Sequence, residues 1–330
     1  MENLDSIWDS LERDMGDSGL DKSLLLRRLK SIGLHIGIDL SSRQRILLLE
    51  ITPSRDININ KFPKWKGVEL FFKKLSNDRE AIVLKLVDKG GVAIFDALIR
   101  DINDSLAEVT DLENALELFK ECLDTWSDFF KKYGYDGLGP ESQRGLFGEL
   151  FFFKEYVLKN TDIISGINYW RGHSRKYQDF SFPGGNVEIK TTIKKEHRTV
   201  IITSEKQLDD IGLISLYLYC IAMNITENKG SSLPDIIKEI RETISTTPNA
   251  LRLFNRYLMN AGYLDEHEQN YENTGYAVNK EYFFKVTEFF PRIIKLPDGV
   301  GDVKYSVVLS ACKNFEADIN EAIKNLLEEN

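Results

Sequence analysis

The order of apolar and polar positions divides the chain into stretches of different period. Leu112, Leu116, Phe119, Leu123, Trp126 and Phe130 recur at three- and four-residue steps, the mark of an amphipathic helix, and helical character extends over 94–133. Residues 1–30 predict one or two further amphipathic helices, with Leu24, Leu25 and Leu29 on the apolar side. Between these regions, 33–51 predicts two strands about a polar turn at Ser41-Ser42, and 68–75 with 81–87 predicts a second pair. The Gly-rich stretch from Gly134 to Pro140 ends the long helix and marks a boundary.

A helix over 141–158 buries Leu146, Leu150, Phe153 and Val157. Glu149 borders that stripe, whereas Glu155 faces solvent. Gly145 and Gly148 each cost a helix about 1 kcal/mol relative to Ala, so close approach to a sheet is the expected compensation. Next, 176–195 alternates with period two on either side of Pro183-Gly184-Gly185-Asn186, which predicts a hairpin. Phe180, Phe182, Val187 and Ile189 fall on a core face, and Asp179, Glu188 and Lys190 on the other. A loop centred on Gly184-Gly185 pairs Phe182 with Val187, setting Asp179 opposite Lys190 with Glu188 on the diagonal. Two carboxylates so placed can share one hard cation.

Residues 199–204 predict a strand, followed by the capping pattern Ser204 to Gln207. The apolar run 211–223 is shorter than the ~20 residues a bilayer needs and reads as a buried strand or helix. Two helices, 233–245 and 248–261, precede a strand, an Asn279-Lys280 turn and a second strand. That is a winged-helix outline, with Asn249, Arg252 and Arg256 facing outward; a helical elaboration of the core is the simpler reading. A strand at 305–310 and an acidic helix at 314–329 close the chain.

Composition narrows the function. Charged residues at 29% and hydrophobic residues at 42% describe a globular protein. The net charge of −9 excludes a globally basic nucleic-acid binder. Yet residues 169–198 carry seven basic against three acidic side chains, a local patch suited to a phosphate backbone. Arg171, Arg175, Lys194, Lys195 and Arg198 are its candidate DNA contacts; a solvated strand edge would also favour lysine. Cys122, Cys220 and Cys312 fit neither a disulfide framework nor a zinc site, and the acidic N-terminus lacks signal-peptide character, so a cytoplasmic protein with no membrane association is expected.

Asp179, eight residues, then Glu188-Ile189-Lys190 resembles the D-x(n)-E-x-K signature of the PD-(D/E)XK nuclease superfamily, which includes many restriction endonucleases. Gln178 stands where the founding motif has Pro. The segments GLFGEL, Trp170-Arg171-Gly172, SEKQL, FFPRI and VKYSVVLS, taken in order, resemble an uncharacterised prokaryotic branch of that superfamily. The resemblance implies an α+β fold with an α/β core, a restriction-endonuclease-like mixed sheet flanked by helices. A β-rich N-terminal domain (1–105) and a connecting helix (106–133) would precede the nuclease core (134–224) and a helical, winged-helix-like C-terminal region (225–330). It further implies a Mg²⁺-dependent DNA endonuclease of restriction or phage-defence type, with Mn²⁺ able to substitute. Asp179, Glu188, Glu149 and the Ile189 carbonyl would hold metal, Lys190 would act in catalysis, and Gln207 and His197 are further candidates. Homodimerisation, and a methyltransferase or ATPase partner, belong to the same expectation. The rival readings are a catalytically silent DNA-binding or assembly subunit, and a structural protein in which Asp179 and Lys190 form only a cross-strand ion pair.

Overall fold

The computed structural model describes residues 4–13, 22–29, 32–51, 57–75, 79–88, 91–107, 109, 111–134, 136–170, 177–193 and 196–328. The chain divides into two compact units, Met1–Asp136 and Gly137–Asn330.

The first unit is built on five antiparallel strands. These are β1 (Lys22–Leu29), β2 (Ile32–Asp39), β3 (Gln44–Ile51), β4 (Val68–Lys74) and β5 (Glu80–Leu86), in the order β1-β2-β3-β5-β4. Its helices are α1 (Leu4–Arg13), α2 (Val92–Ser105) and α3 (Leu112–Tyr133). The central strand β3 buries four consecutive residues, Ile46 to Leu49, because both of its faces are covered. Polar anchors orient the helices: Asp96 of α2 accepts from Trp8 Nε1 (2.9 Å) and Arg45 Nη1 (2.7 Å). The Trp126 indole donates to Asp101 (2.8 Å), tying α3 to α2. The helix expected through residues 22–29 is instead the strand β1. Leu24 and Leu25, the supposed buried stripe, are exposed, and backbone pairing with β2 decides the conformation.

The second unit carries α4 (Pro140–Phe152), which continues as a π-helical turn Phe153–Val157, then α5 (Ile163–Tyr169). There follow β6 (Phe180–Phe182), β7 (Gly185–Thr192), β8 (Thr199–Ile202), β9 (Leu216–Glu227) and β10 (Ser231–Ser232). After these come α6 (Leu233–Ile244), α7 (Pro248–Asn260), β11 (Thr274–Lys285), β12 (Tyr305–Val308) and α8 (Ile319–Leu327). The main sheet has the order β10-β11-β9-β7-β6 and is mixed: β7 and β9 are parallel, the other pairs antiparallel. It therefore runs on past residue 224 through β9 and β11. One face packs Leu216, Leu218 and Cys220 against Val200, Ile202, Leu208 and Phe284. On the other, Phe152 of α4 meets Phe180 and Tyr219.

Three expectations are corrected in this unit. The helix implied by the Ser204–Gln207 capping pattern is only a 3₁₀ turn, Glu205–Leu208, and the strand before it, β8, pairs with β12 in a separate two-stranded sheet. Residues 274–285 form one strand with a bulge at Asn279 in place of a turn, because β9 offers a partner along its whole length, so no two-stranded wing forms there. Ile211 and Ile214 are exposed, and burial begins only at Leu216.

Close approach of α4 to β7 explains one of its glycines. A Cβ at Gly148 would stand 2.5 Å from Thr191 Cγ2, whereas one at Gly145 meets nothing within 4 Å. Gly145→Ala is therefore expected to stabilise the protein by up to about 1 kcal/mol through helix propensity. Gly148→Ala should destabilise it, and Thr191→Ser in the Gly148→Ala background should recover much of the loss. Denaturant unfolding of the three variants checks this; a stabilising Gly148→Ala would contradict the packing.

Candidate active site

β7 lies between β6 and β9, and its side chains alternate between two environments. Val187 and Ile189 lie on the face of Tyr217 and Tyr219 that α4 covers, while Glu188 and Lys190 lie on the opposite face, level with Leu218 and Cys220. The expected sorting of the hairpin residues into two faces is correct, but the expected register is not. Phe180 pairs with Val187 and Phe182 with Gly185, around a two-residue turn at Pro183-Gly184. Continuing that register, Asp179 is level with Glu188, and Lys190 takes the diagonal. The cause is tertiary: Ser215 Oγ donates to the Gly184 carbonyl (2.6 Å), and Asn186 N donates to the Ser215 carbonyl (2.9 Å). Gly184 N donates to the Leu326 carbonyl (2.9 Å), fastening the turn to α8. Gly185 has φ +146° and sits so close to Ser215 that a Cβ would fall 2.2 Å from its hydroxyl.

Two carboxylates level on adjacent strands have Cβ atoms roughly 5 Å apart. Asp179, half-buried, accepts a hydrogen bond from Ile189 N (2.7 Å) through Oδ2. Its side chain thus supplies the partner that β6, beginning at Phe180, does not provide. In a strand the N–H and C=O of one residue leave on the same edge, so the Ile189 carbonyl points toward Asp179 as well.

Glu188 is fully buried, at 0% exposure. Lys190 Nζ lies 2.6 Å from Glu188 Oε1 but off the hydrogen-bonding direction, and no other donor among the described residues reaches either oxygen. Burial, then the Asp179 charge, push the Glu188 carboxyl up to about 8 against the pull of Lys190. Burial also raises Asp179, opposed by Lys190 and the Ile189 N–H. For Lys190, burial favours the neutral amine, but Glu188, Asp179 and Glu149 outweigh it and hold the ammonium above its usual range.

Glu149 of α4 joins this group. It is buried, and its carboxyl is pushed well up, first by burial and then by Asp179. The Trp170 indole donates to Glu149 Oε2 (2.9 Å), and the Trp170 backbone bridges to Phe180, so one residue links the helix to the strand adjoining Asp179. Gln178 supplies a second anchor. Its amide donates to the carbonyls of Lys206 (2.9 Å) and Gln207 (3.3 Å), and its oxygen accepts from Asn186 Nδ2 (3.0 Å). Spacing alone does not find Gln178 or Asn186; the signal for Gln178 was its position next to Asp179.

The remaining sequence candidates lie elsewhere or are differently employed. Gln207 Oε1 accepts from Thr203 N (2.9 Å) and its hydroxyl, a capping role. His197 is exposed, with φ 46°. Arg198 is half-buried and donates to the Tyr282 hydroxyl (2.7 Å). Arg171, Arg175, Lys194 and Lys195 lie outside the described residues. Among the described residues, no three His, Cys, Asp or Glu side chains close around one point as a finished metal cage. Nor is any described helix long and apolar enough to cross a membrane.

A family model described as "Putative PD-(D/E)XK family member, (DUF4420)" matches residues 4–310, nearly the whole chain. The chain belongs to this family. Its mixed sheet and flanking helices are consistent with a nuclease-like fold. No curated protein and no solved structure matches it.

The raised Glu188 carboxyl has a consequence for stability. Its folded value, about 8, exceeds the ordinary 4.5, so the native state holds the proton more tightly than the unfolded chain does. The stability it contributes is complete below about pH 4.5 and is lost as pH rises toward 8. In EDTA, wild type should therefore lose stability relative to Glu188→Gln between about pH 5 and 8, by an amount on the order of a few kcal/mol. Denaturant unfolding across that range measures it, and parallel pH curves would contradict the assignment.

Proposed function

We propose that this protein is a metal-dependent endonuclease that hydrolyses phosphodiester bonds in DNA, on a restriction-endonuclease-like core. The observation that carries the reading is the gathering of Glu149, Asp179 and Glu188 about one lysine, with Glu188 fully buried and without a well-aligned donor among the described residues. Burying ionised carboxylates without donors is costly, and a hard divalent cation offsets that cost. The donor set fits such an ion: carboxylate and carbonyl oxygens suit Mg²⁺ or Mn²⁺. Asp179, Glu188 and the Ile189 carbonyl would hold it, with Glu149 behind them. When bound, such an ion would supply Lewis-acid polarisation of the scissile phosphate and of the attacking water. Lys190, diagonal to Asp179, orients the attacking water and stabilises negative charge developing on the phosphate. Gln178 and Trp170 keep Asp179 and Glu149 in place while this happens.

A restriction or phage-defence role, homodimerisation for cutting both strands, and a methyltransferase or ATPase partner rest on the family resemblance. The rival reading is a nuclease-fold subunit that docks DNA without cutting. What favours it is the Lys190–Glu188 contact, since an ammonium at 2.6 Å takes the position a metal needs.

Plasmid cleavage separates the two. Wild type is expected to nick or linearise DNA with Mg²⁺ or Mn²⁺ and to be silent in EDTA. Asp179→Ala and Lys190→Ala should each lose at least about 100-fold in rate, the scale of one lost electrostatic contact to the transition state, with unchanged circular dichroism. Wild-type rates in either folded variant would remove that residue from the mechanism.

A further inference from the structure

Two residues before Asp179, Tyr177 stands out by its exposure. At 54% it is, among the described residues, the one tyrosine whose side chain lies open to solvent; Tyr217, Tyr219, Tyr263, Tyr271 and Tyr276 are all buried. The Lys206 ammonium lies 4.8 Å from its ring centroid, at the hydroxyl end, and donates to the hydroxyl at 3.0 Å. Glu205 and Asp302 are the acidic groups within electrostatic reach of that ammonium. An exposed ammonium–ring contact is weak, and neither group fills a core. Stability therefore does not account for placing this pair here.

The pair also rests on a fixed base. Gln178, between Tyr177 and Asp179, is bonded to the carbonyls of Lys206 and Gln207, so both members are tied to the carboxylate cluster. The 3₁₀ turn carrying Lys206 is capped by Ser204 and held at the Leu208 carbonyl by Arg292, whose side chain is only 3% exposed. Two residues of chain span at most about 7 Å, so the Tyr177 and Asp179 backbones lie within one nucleotide or so of each other.

We propose that Tyr177 and Lys206 form a strand-holding contact beside the carboxylate cluster: the phenol ring stacks on an unpaired nucleobase and the ammonium meets a neighbouring backbone phosphate. The contact rests on the nuclease reading and adds to it a requirement for an unstacked base next to the scissile phosphate. Every base has a π-face, so such a platform tolerates any sequence.

Binding of fluorescent single-stranded and duplex oligonucleotides to full-length Asp179→Asn protein tests the proposal, with melting curves as the control for folding. Adding Tyr177→Ala should weaken single-strand binding roughly 5- to 100-fold, while Tyr177→Phe, which keeps the ring, should stay within about twofold. Lys206→Ala should reduce the slope of log K against log salt by about 1. A 2-aminopurine in the oligonucleotide should be quenched by the parent and by Tyr177→Phe but not by Tyr177→Ala. Parent affinity and quenching retained in folded Tyr177→Ala would overturn the contact while leaving the nuclease reading standing. Equal loss on blunt duplex and single strand would overturn the stacking role. Failure of the parent to bind any oligonucleotide would overturn both.

Discussion

The structure of the second unit turns on holding two carboxylates side by side, Glu188 fully buried and Asp179 half-buried. Asp179 and Glu188 are level across adjacent strands, Glu149 stands within electrostatic reach, and among the described residues Lys190 is the base that opposes them. Such groups have a tendency to separate or take up protons: burial raises all three carboxyls, and the Asp179 charge adds to the rise at Glu149 and Glu188. The surrounding fold acts against it. β7 is clamped between β6 and β9, Trp170 binds Glu149, and Gln178 joins the chain before Asp179 to both Asn186 and the Glu205–Leu208 turn.

The same constraint gives the supporting contacts their roles. The hairpin turn could take several registers, and the one adopted is fixed by Ser215 and the Leu326 carbonyl. α4 can bring Glu149 close because Gly148 lets it approach Thr191. In the first unit, by contrast, buried charge is neutralised: Asp96 faces Arg45 and the Trp8 indole. Paired charge serves packing there, whereas at Asp179 and Glu188 two carboxyl groups stand beside a single lysine among the described residues.

Much of the site was legible because strand periodicity is robust to error. A register shift of two leaves every side chain on its own face, so Asp179, Glu188 and Lys190 were grouped correctly although their pairing was not. The pairing itself depends on Ser215 and Leu326, which are distant in sequence. Glu149 was readable from its place beside an apolar stripe, and Gly148 from its cost to the helix; Gly145, equally unusual in sequence, meets nothing. Local pattern failed where a long-range partner overrode it. Residues 22–29 have a helical look but pair with β2, and Asn279-Lys280 has turn chemistry but is absorbed as a bulge against β9.

The central claim, that Asp179 and Glu188 are held together for a metal ion, is tested most directly by thermal melts of wild type and Asp179→Asn in EDTA and across a Mg²⁺ series. Asn still accepts the Ile189 N–H but carries no charge. The account predicts that Asp179→Asn is at least as stable as wild type in EDTA. Wild type alone should then gain stability with Mg²⁺, by about 2.7 kcal/mol at a hundredfold excess over Kd. An Asp179→Asn protein less stable in EDTA, together with a wild type indifferent to Mg²⁺, would contradict it and leave Asp179 and Glu188 as a structural partnership with Lys190.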